Sequence, residues 1–387
     1  MFSTSQLELL ERQGIEVPSW AFGNTGTRFR VFGQPGVPRD PFEKVADAAQ
    51  VHKYTGLAPR VALHIPWDNV ADFAGLAGYA EDLGVALGTI NSNTFQEEEY
   101  KLGSLAHRDP KVRKRAIEHN RECIEVMNQT GSQDLKIWLA DGTNYPGQDD
   151  MRIRQDNLSE SLAEIYSHLG ANQRMVLEYK FFEPSFYHTD VPDWGTALLQ
   201  VMSLGDQATV CLDTGHHAQA TNIEFIVMQL ARVGKLGSFD FNSRFYADDD
   251  LIVGAADPFQ LFRIIYEVLK AGALDADSSV VFMLDQAHNL ELKIPAQIRS
   301  VLNVQEATAK ALLVDQDALT NAQIGGDVLA AHDIFMDAFN TDVRSELATW
   351  RAGRGLPEDP MASFRASGYL EEIASNRIGG KQAGWDA

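Results

Sequence analysis

Five short apolar runs in this chain end in a residue that can bind a metal or a sugar, and always at the same end. They are Lys136-Ile-Trp138, Val176-Leu-Glu-Tyr-Lys180, Val210-Cys-Leu-Asp213, Gly237-Ser-Phe-Asp240 and Val281-Phe-Met-Leu-Asp285. A lone Asp at a strand end more often caps the helix that follows, because helix N-caps favour Asp. Four strand-end carboxylates, with a Lys and a Trp beside them, read instead as one site assembled from many strands. A (β/α)8 TIM barrel builds its active centre in this way, at the C-terminal ends of its parallel strands.

The rest of the chain fits that architecture. Strand and helix signals alternate, which predicts βα units and a parallel sheet. The predicted strands are 20–23, 61–65, 85–90, 135–140, 175–180, 209–213, 237–241 and 280–285. Asp109-Pro110 and Asp257-Pro258 are cap-and-proline helix starts, and Gly131 is a helix stop. Another helix is predicted over 157–169. The α/β barrel should occupy 1–300, and 301–387 should form a helical C-terminal extension that wraps the barrel or packs on a neighbouring subunit. The segment 242–257 is long for a βα connection, and such loops are usually functional or disordered.

Composition excludes several function classes. The formal charge is −21, and phosphate binding needs clustered Lys and Arg, so nucleic acid is an unsuitable partner. An anionic membrane surface is excluded for the same reason. No stretch reaches the ~20 apolar residues that span a bilayer, and the N-terminal stretch does not read as a signal peptide. Two cysteines, Cys123 and Cys211, suggest neither a disulfide framework nor a thiolate metal site, and a reducing cytoplasm fits best. Both are expected in the core.

Side chains alternate along a strand, so Glu178 and Lys180 share a face, and Leu177 and Tyr179 point to the helices. If the polar members face the interior, Glu178, Lys180, Asp213, Asp240 and Asp285 converge. Crowded carboxylates then bind protons unless a cation keeps them ionised. Asp213-Thr-Gly-His216-His217 adds a nitrogen ligand, with Gly215 permitting the turn. In Asp248-Asp-Asp250 the first and third carboxylates can bind one ion while Asp249 turns away. Six carboxylates and one imidazole suit Mg²⁺, Mn²⁺ or Co²⁺, and their charge calls for two divalent ions rather than one. His64, at the end of Leu63-His-Ile-Pro-Trp67, can move a proton at a sugar ring oxygen. Trp138 offers an apolar wall. His288 and Asn289 could support the site or be plain loop residues. Gly23-Asn-Thr-Gly-Thr27 fits no phosphate or dinucleotide fingerprint, and no organic cofactor is assigned.

Taken in order, these residues resemble the L-rhamnose isomerase family of the xylose-isomerase-like barrels. The resemblance rests on Pro18-Ser-Trp-Ala-Phe-Gly-Asn-Thr-Gly-Thr-Arg-Phe29, Leu63-His-Ile-Pro-Trp-Asp68, the Glu178/Lys180 pair, Asp213-Thr-Gly-His-His217, Ala247-Asp-Asp-Asp-Leu251 and Leu284-Asp285. It implies a first metal held by Glu178, Asp213, Asp240 and Asp285. It implies a second, catalytic metal on His216, Asp248 and Asp250, with Asp213 bridging. Lys180 would contact the carbonyl end of the sugar, and His64 and Trp138 would line it. Lys180, His64, Asp285 and His216 form the implied catalytic set. The implied reaction interconverts L-rhamnose and L-rhamnulose by a hydride shift, with Mn²⁺ the expected ion and a homotetramer the expected assembly. One position departs: Asp240 stands where rhamnose isomerases similar to this chain carry His. The alternatives are a ketose C3-epimerase on a related barrel and a non-catalytic sugar-binding barrel.

Overall fold

The computed structural model describes residues 2–27, 30–183 and 187–378. Eight parallel strands close into a barrel: β1 (Ile15–Pro18), β2 (Arg60–Ile65), β3 (Ala86–Ser92), β4 (Asp134–Trp138), β5 (Arg174–Glu178), β6 (Ala208–Asp213), β7 (Leu236–Phe241) and β8 (Val281–Leu284). β1 pairs with both β2 and β8, which closes the ring. Each strand leads to an outer helix: α1 (Pro41–Thr55), α2 (Phe73–Asp82), α3 (Pro110–Thr130), α4 (Met151–Tyr166), α5 (Trp194–Leu204), α6 (Ile223–Arg232), α7 (Pro258–Lys270) and α8 (Lys293–Ala311). The (β/α)8 expectation is met.

The caps explain why the strand-end acids are free for other work. Asp40, Asp72, Asp109, Asp150, Asp193 and Asp257 each accept a backbone N–H at the start of one outer helix, and Asn222 does so for α6. None of these is a strand-end carboxylate. Asp150 also explains why α4 begins at Met151 rather than at 157: its side chain accepts from Arg152 and Ile153 and starts the helix there. Gly131 ends α3 in the left-handed region, at φ 74°, as expected of a helix stop.

The first strand differs from expectation. Residues 19–22 form a 3-10 turn, and the strand is Ile15–Pro18. Proline carries no amide proton for the ladder, so the strand ends there. Glu16 hid this strand, because a carboxylate in a four-residue run reads as polar. In the fold Glu16 is buried at the barrel's lower end and accepts the Thr89 N–H at 3.0 Å. A Cβ on Gly88 would stand 2.4 Å from that carboxylate, so this close approach needs glycine.

The main core lies between the strand ring and the helix ring, where Ile137, Leu177, Leu212, Phe239 and Phe282 are all buried. The expected boundary at residue 300 falls inside α8, which packs on α7 and α1. Beyond it come α9 (Gln316–Gly325), α10 (Val328–Asn340), α11 (Arg344–Ala352), α12 (Pro360–Ala366) and α13 (Tyr369–Asn376). Phe335 and Phe339 of α10 pack on Phe262 and Phe259 of α7, with ring centroids 4.8 and 4.9 Å apart. Tyr369 and Arg377 both hydrogen-bond to Asp47 of α1. The extension therefore packs on the outside of α7, α8 and α1. No helix among the described residues is long and apolar enough to cross a membrane.

One buried ion pair ties the segment after β1 to β2 and α1. The Asp68 carboxylate accepts from Ser19 Oγ, from the His64 N–H at 2.7 Å and from Lys44 Nζ at 2.6 Å. Lys44 and Asp68 are almost fully buried. Removing one partner of such a pair leaves an uncompensated charge. Lys44→Met is therefore expected to cost about 3 kcal/mol of stability, seen as a lower midpoint of urea unfolding.

Candidate active site

Register brings the predicted carboxylates together. Asp213 on β6 lies directly beside Asp240 on β7, and Asp240 beside Met283 on β8. Glu178 at the end of β5 lies beside Cys211 of β6 and Trp138 of β4. Asp285 follows β8 and stays in line through its N–H to Phe241 O at 3.0 Å. Glu178, Asp213, Asp240 and Asp285 each offer an oxygen to one group whose atoms all lie within 4.8 Å of one another.

Crowding and burial act on these groups as charge physics requires. Burial, opposed by His216 and aided by Glu178 and Asp248, pushes the Asp213 carboxyl up to about 6. Burial likewise pushes Asp240 up to about 7, with Glu178 and Asp213 adding to it and Lys136 opposing it. Asp285 is raised well above the ordinary range by burial and then by Asp240, Asp213 and Glu178. Asp240 Oδ2 is buried without a hydrogen-bond partner among the described residues. Oxygen donors this close, one of them unpartnered, fit a divalent cation.

The supports of this cluster are specific. Trp20 Nε1 donates to Asp285 Oδ1 at 3.0 Å. Asn242 Nδ2 donates to both Asp213 oxygens, at 3.0 and 3.2 Å. A Cβ on Gly215 would meet Asn242 Oδ1 at 2.6 Å. Close approach, rather than turn geometry, is thus the reason for glycine there.

His216 is buried beside the cluster. Its Nδ1 lies 2.9 Å from the Tyr179 carbonyl, which can only accept, so Nδ1 carries the proton. In the neutral ring Nε2 is then a lone pair, aimed between Asp248 Oδ1 at 3.2 Å and Asp213 Oδ2 at 3.9 Å. A lone pair facing two carboxylates needs a proton or a metal ion between them. Burial lowers the His216 pKa, but Asp213 and Asp248 outweigh it and raise it well above the usual value. Anchoring a ligating imidazole through its other N–H is the usual outer support of a metal site.

The acidic loop is divided as its sequence suggested. Asp249 turns away and accepts the Tyr246 N–H at 2.8 Å. Asp248 Oδ2 pairs with Lys180 Nζ at 2.7 Å. Asp250 has φ +48°, and its Oδ1 is buried without a hydrogen-bond partner among the described residues. The expected His216, Asp248 and Asp250 set is not closed. Among the described residues, His216 groups with Glu178 and Asp213, and no group of three or more close ligand atoms includes Asp248 or Asp250.

The opposite half of the mouth is aromatic. His64 stacks on Trp67 with centroids 4.0 Å apart and meets the edge of Trp20 at 5.3 Å. Phe95 packs edge-on against Trp138 at 4.7 Å. Lys180 Nζ lies 5.1 Å from the Trp138 ring centre, within cation–π range. Burial holds the His64 pKa well below its ordinary value, with Lys44 and His119 adding to the effect. His64 is therefore a neutral imidazole.

The chain is 42% identical over 370 residues to a "Probable sugar isomerase" of Rhizobium meliloti (strain 1021), covering 94% of this chain and 86% of that one. It is 41% identical over 374 residues to another of the same description from Mesorhizobium japonicum, covering 95% and 87%. The chain belongs to this sugar isomerase family. No family model matches it. Its fold is similar to an L-ribulose 3-epimerase (TM-score 0.58, 14% identity, 78% of this chain and 97% of that one). It is also similar to a D-allulose 3-epimerase from Methylomonas sp. (TM-score 0.53, 13% identity, 76% and 98%). These likenesses show the barrel fold.

Several residues of this family member lie where sequence did not place them. Lys136 is buried inside the barrel and is ion-paired with Asp240. Its alternation with Trp138 signalled an inward Lys, but the partner lies on another strand. Trp20 and Phe95 were also missed as site residues, since apolar side chains carry no chemical signature. Cys211 is buried in the core as expected, and its sulfur also groups with Glu178 and Asp240, as a thiol whose pKa burial raises well above normal. His217 faces away and bonds Tyr179 Oη at 2.7 Å, with burial pushing its pKa down to about 3. His288 sits in a loop, 3.3 Å from Glu291. Arg28 and Phe29 of the first motif lie outside the described residues.

The raised carboxyls predict a linked proton release. In the metal-free protein Asp213 and Asp240 hold protons below about 6 and about 7 and are charged above those values. A bound cation needs both deprotonated. Mn²⁺ binding should therefore release more protons at pH 6 than at pH 8, measured as a steeper dependence of the calorimetric enthalpy on buffer ionisation heat.

Proposed function

We propose that the chain is a divalent-metal-dependent aldose–ketose isomerase, with L-rhamnose and L-rhamnulose the first pair to test and related aldoses and ketoses after them. One observation carries the reading: Lys180 and His216 both meet Asp248 at the edge of a four-carboxylate cluster. Proton abstraction alone needs two carboxylates. An added ammonium and a second set of ligands serve a reaction that must also control charge on a second oxygen.

Glu178, Asp213, Asp240 and Asp285 would hold one ion; His216, Asp248 and Asp250 would hold the other, with Asp213 shared. Six carboxylates against the ammonium groups of Lys136 and Lys180 leave a surplus equal to the charge of two divalent cations. When bound, such ions supply Lewis-acid polarisation of the sugar's oxygens. Mn²⁺ is the proposed resident ion, with Co²⁺ or Mg²⁺ as substitutes, and a homotetramer the proposed assembly.

The chain's own groups do the rest. His64, neutral and walled by Trp20, Trp67 and Phe95, can move a proton at the ring oxygen as the sugar opens. Trp138 shields one face of the open chain from water. Hydride passes from C2 to C1 while O2 gives up its proton and O1 gains one. Lys180, held by Asp248, stabilises the negative charge that develops at O1.

Three results test this reading. Metal-stripped protein refilled with Mn²⁺, Co²⁺ or Mg²⁺ should turn over L-rhamnose or a related aldose from a panel, and the stripped protein should not. Asp285→Asn and His216→Ala should each lower turnover by more than the roughly hundredfold that losing a mere ligand support costs. Their circular dichroism should match the unsubstituted chain, and full activity in either variant would remove the proposal. Deuterium at C2 of the aldose should be retained in the ketose. Loss of label to solvent would favour proton transfer through an enediol, and wash-out of deuterium from C3 of a ketose with inversion there would favour the ketose C3-epimerase alternative. That alternative has one observation on its side: the first carboxylate cluster is complete without Asp248 and Asp250.

A further inference from the structure

Lys136 takes part in no step proposed above, yet it is the cation most deeply embedded in the site. It projects from β4 into the barrel interior and is 2% exposed. A buried ammonium is costly unless it is paired and hydrogen-bonded. Its partners are Asp240 Oδ1, across the barrel on β7, and Met283 Sδ at 3.9 Å. Only one oxygen of Asp240 is used. The other, Oδ2, is buried, has no hydrogen-bond partner among the described residues, and belongs to a carboxylate in the four-ligand group.

Two consequences follow from this geometry. An ammonium on Oδ1 prevents the carboxylate from turning, so Asp240 presents one donor atom rather than two. The pair also has no net charge, so a cation at Oδ2 meets a neutral unit, as it would meet an imidazole nitrogen. Glu178, Asp213 and Asp285 then supply the negative charge.

We infer that Lys136 is a positioning residue of the first metal site: it anchors Asp240 through Oδ1 and leaves Oδ2 as a single, charge-compensated donor to a divalent cation. The inference rests on reading the four-carboxylate group as a metal site.

The experiment measures Mn²⁺ affinity of the metal-stripped, full-length protein by competition with a fluorescent chelator, together with thermal unfolding of the metal-free form. Lys136→Met should weaken Mn²⁺ binding at least about tenfold, the usual effect of losing a group that orients a ligand. A Lys that acted only as a nearby positive charge would repel the ion, so its removal would tighten binding. Binding equal to or tighter than that of the unsubstituted chain overturns the inference. If Lys136→Met does not fold, Lys136→Gln, which fills similar space, is read by the same criterion. The double variant Lys136→Met with Asp240→His replaces the pair by one neutral donor. It should bind Mn²⁺ within about threefold of the unsubstituted chain, because the two positions act as a unit. Its metal-free form should also unfold at a higher temperature than Asp240→His alone, which strands a buried ammonium. A double variant that binds no better than Lys136→Met counts against the inference. If the unsubstituted chain binds no Mn²⁺, the metal-site reading itself fails, and that outcome is distinct from both others.

Discussion

Mutual repulsion among crowded carboxylates, three buried and one half-buried, organises this molecule. Glu178, Asp213, Asp240 and Asp285 bring oxygens within 4.8 Å of one another at the mouth of the barrel. Such a group is stable only with protons, ammonium ions or metal ions among its oxygens. The surrounding structure supplies part of that compensation: Lys136 from below, the Trp20 indole on Asp285 and the Asn242 amide on Asp213. Lys180 and His216 flank Asp248 at the rim. The donors left over, above all Asp240 Oδ2, are those a divalent cation would take.

The barrel's connectivity separates two chemistries. β5 to β8 deliver the acids. The segment after β1, together with β2, the segment after β3, and β4, delivers Trp20, His64, Phe95 and Trp138. A sugar has carbon-bound faces and hydroxyl edges, and an aromatic wall opposite an acidic floor matches both. Lys180 stands between the two halves, close to Trp138 on one side and Asp248 on the other. This placement suits a group that must meet charge on one substrate oxygen and not on the others.

Much of this was legible in the order of residues. Alternating strand and helix signals, with acids at strand ends, were enough for a (β/α)8 barrel, because only parallel strands place all their C-terminal ends together. The helix caps strengthened the case in the structure, where other aspartates fill those positions. Alternation read along 175–180 put Glu178 and Lys180 on one face, although β5 itself ends at Glu178. The short motif Asp248-Asp-Asp250 correctly set Asp249 aside. Sequence misplaced the first strand because Glu16 breaks an apolar run, and its burial against Gly88 is a contact between distant segments.

What the chain determined alone was the periodicity: which residues alternate inward on a strand, where helices begin, and hence that four acids share one end of a barrel. Tertiary structure decided which of them have partners. Strand register set Asp213 beside Asp240, and barrel closure let Lys136 reach across to Asp240 from three strands away. The Tyr179 carbonyl fixed Nδ1 of His216, which also lies near Glu178, as its proton-bearing nitrogen and left Nε2 toward Asp213 and Asp248. Periodicity is a local property of the backbone and can be read from neighbours. The compensation of a buried charge depends on which distant side chain arrives within about 3 Å of it, and only the closed fold sets that distance.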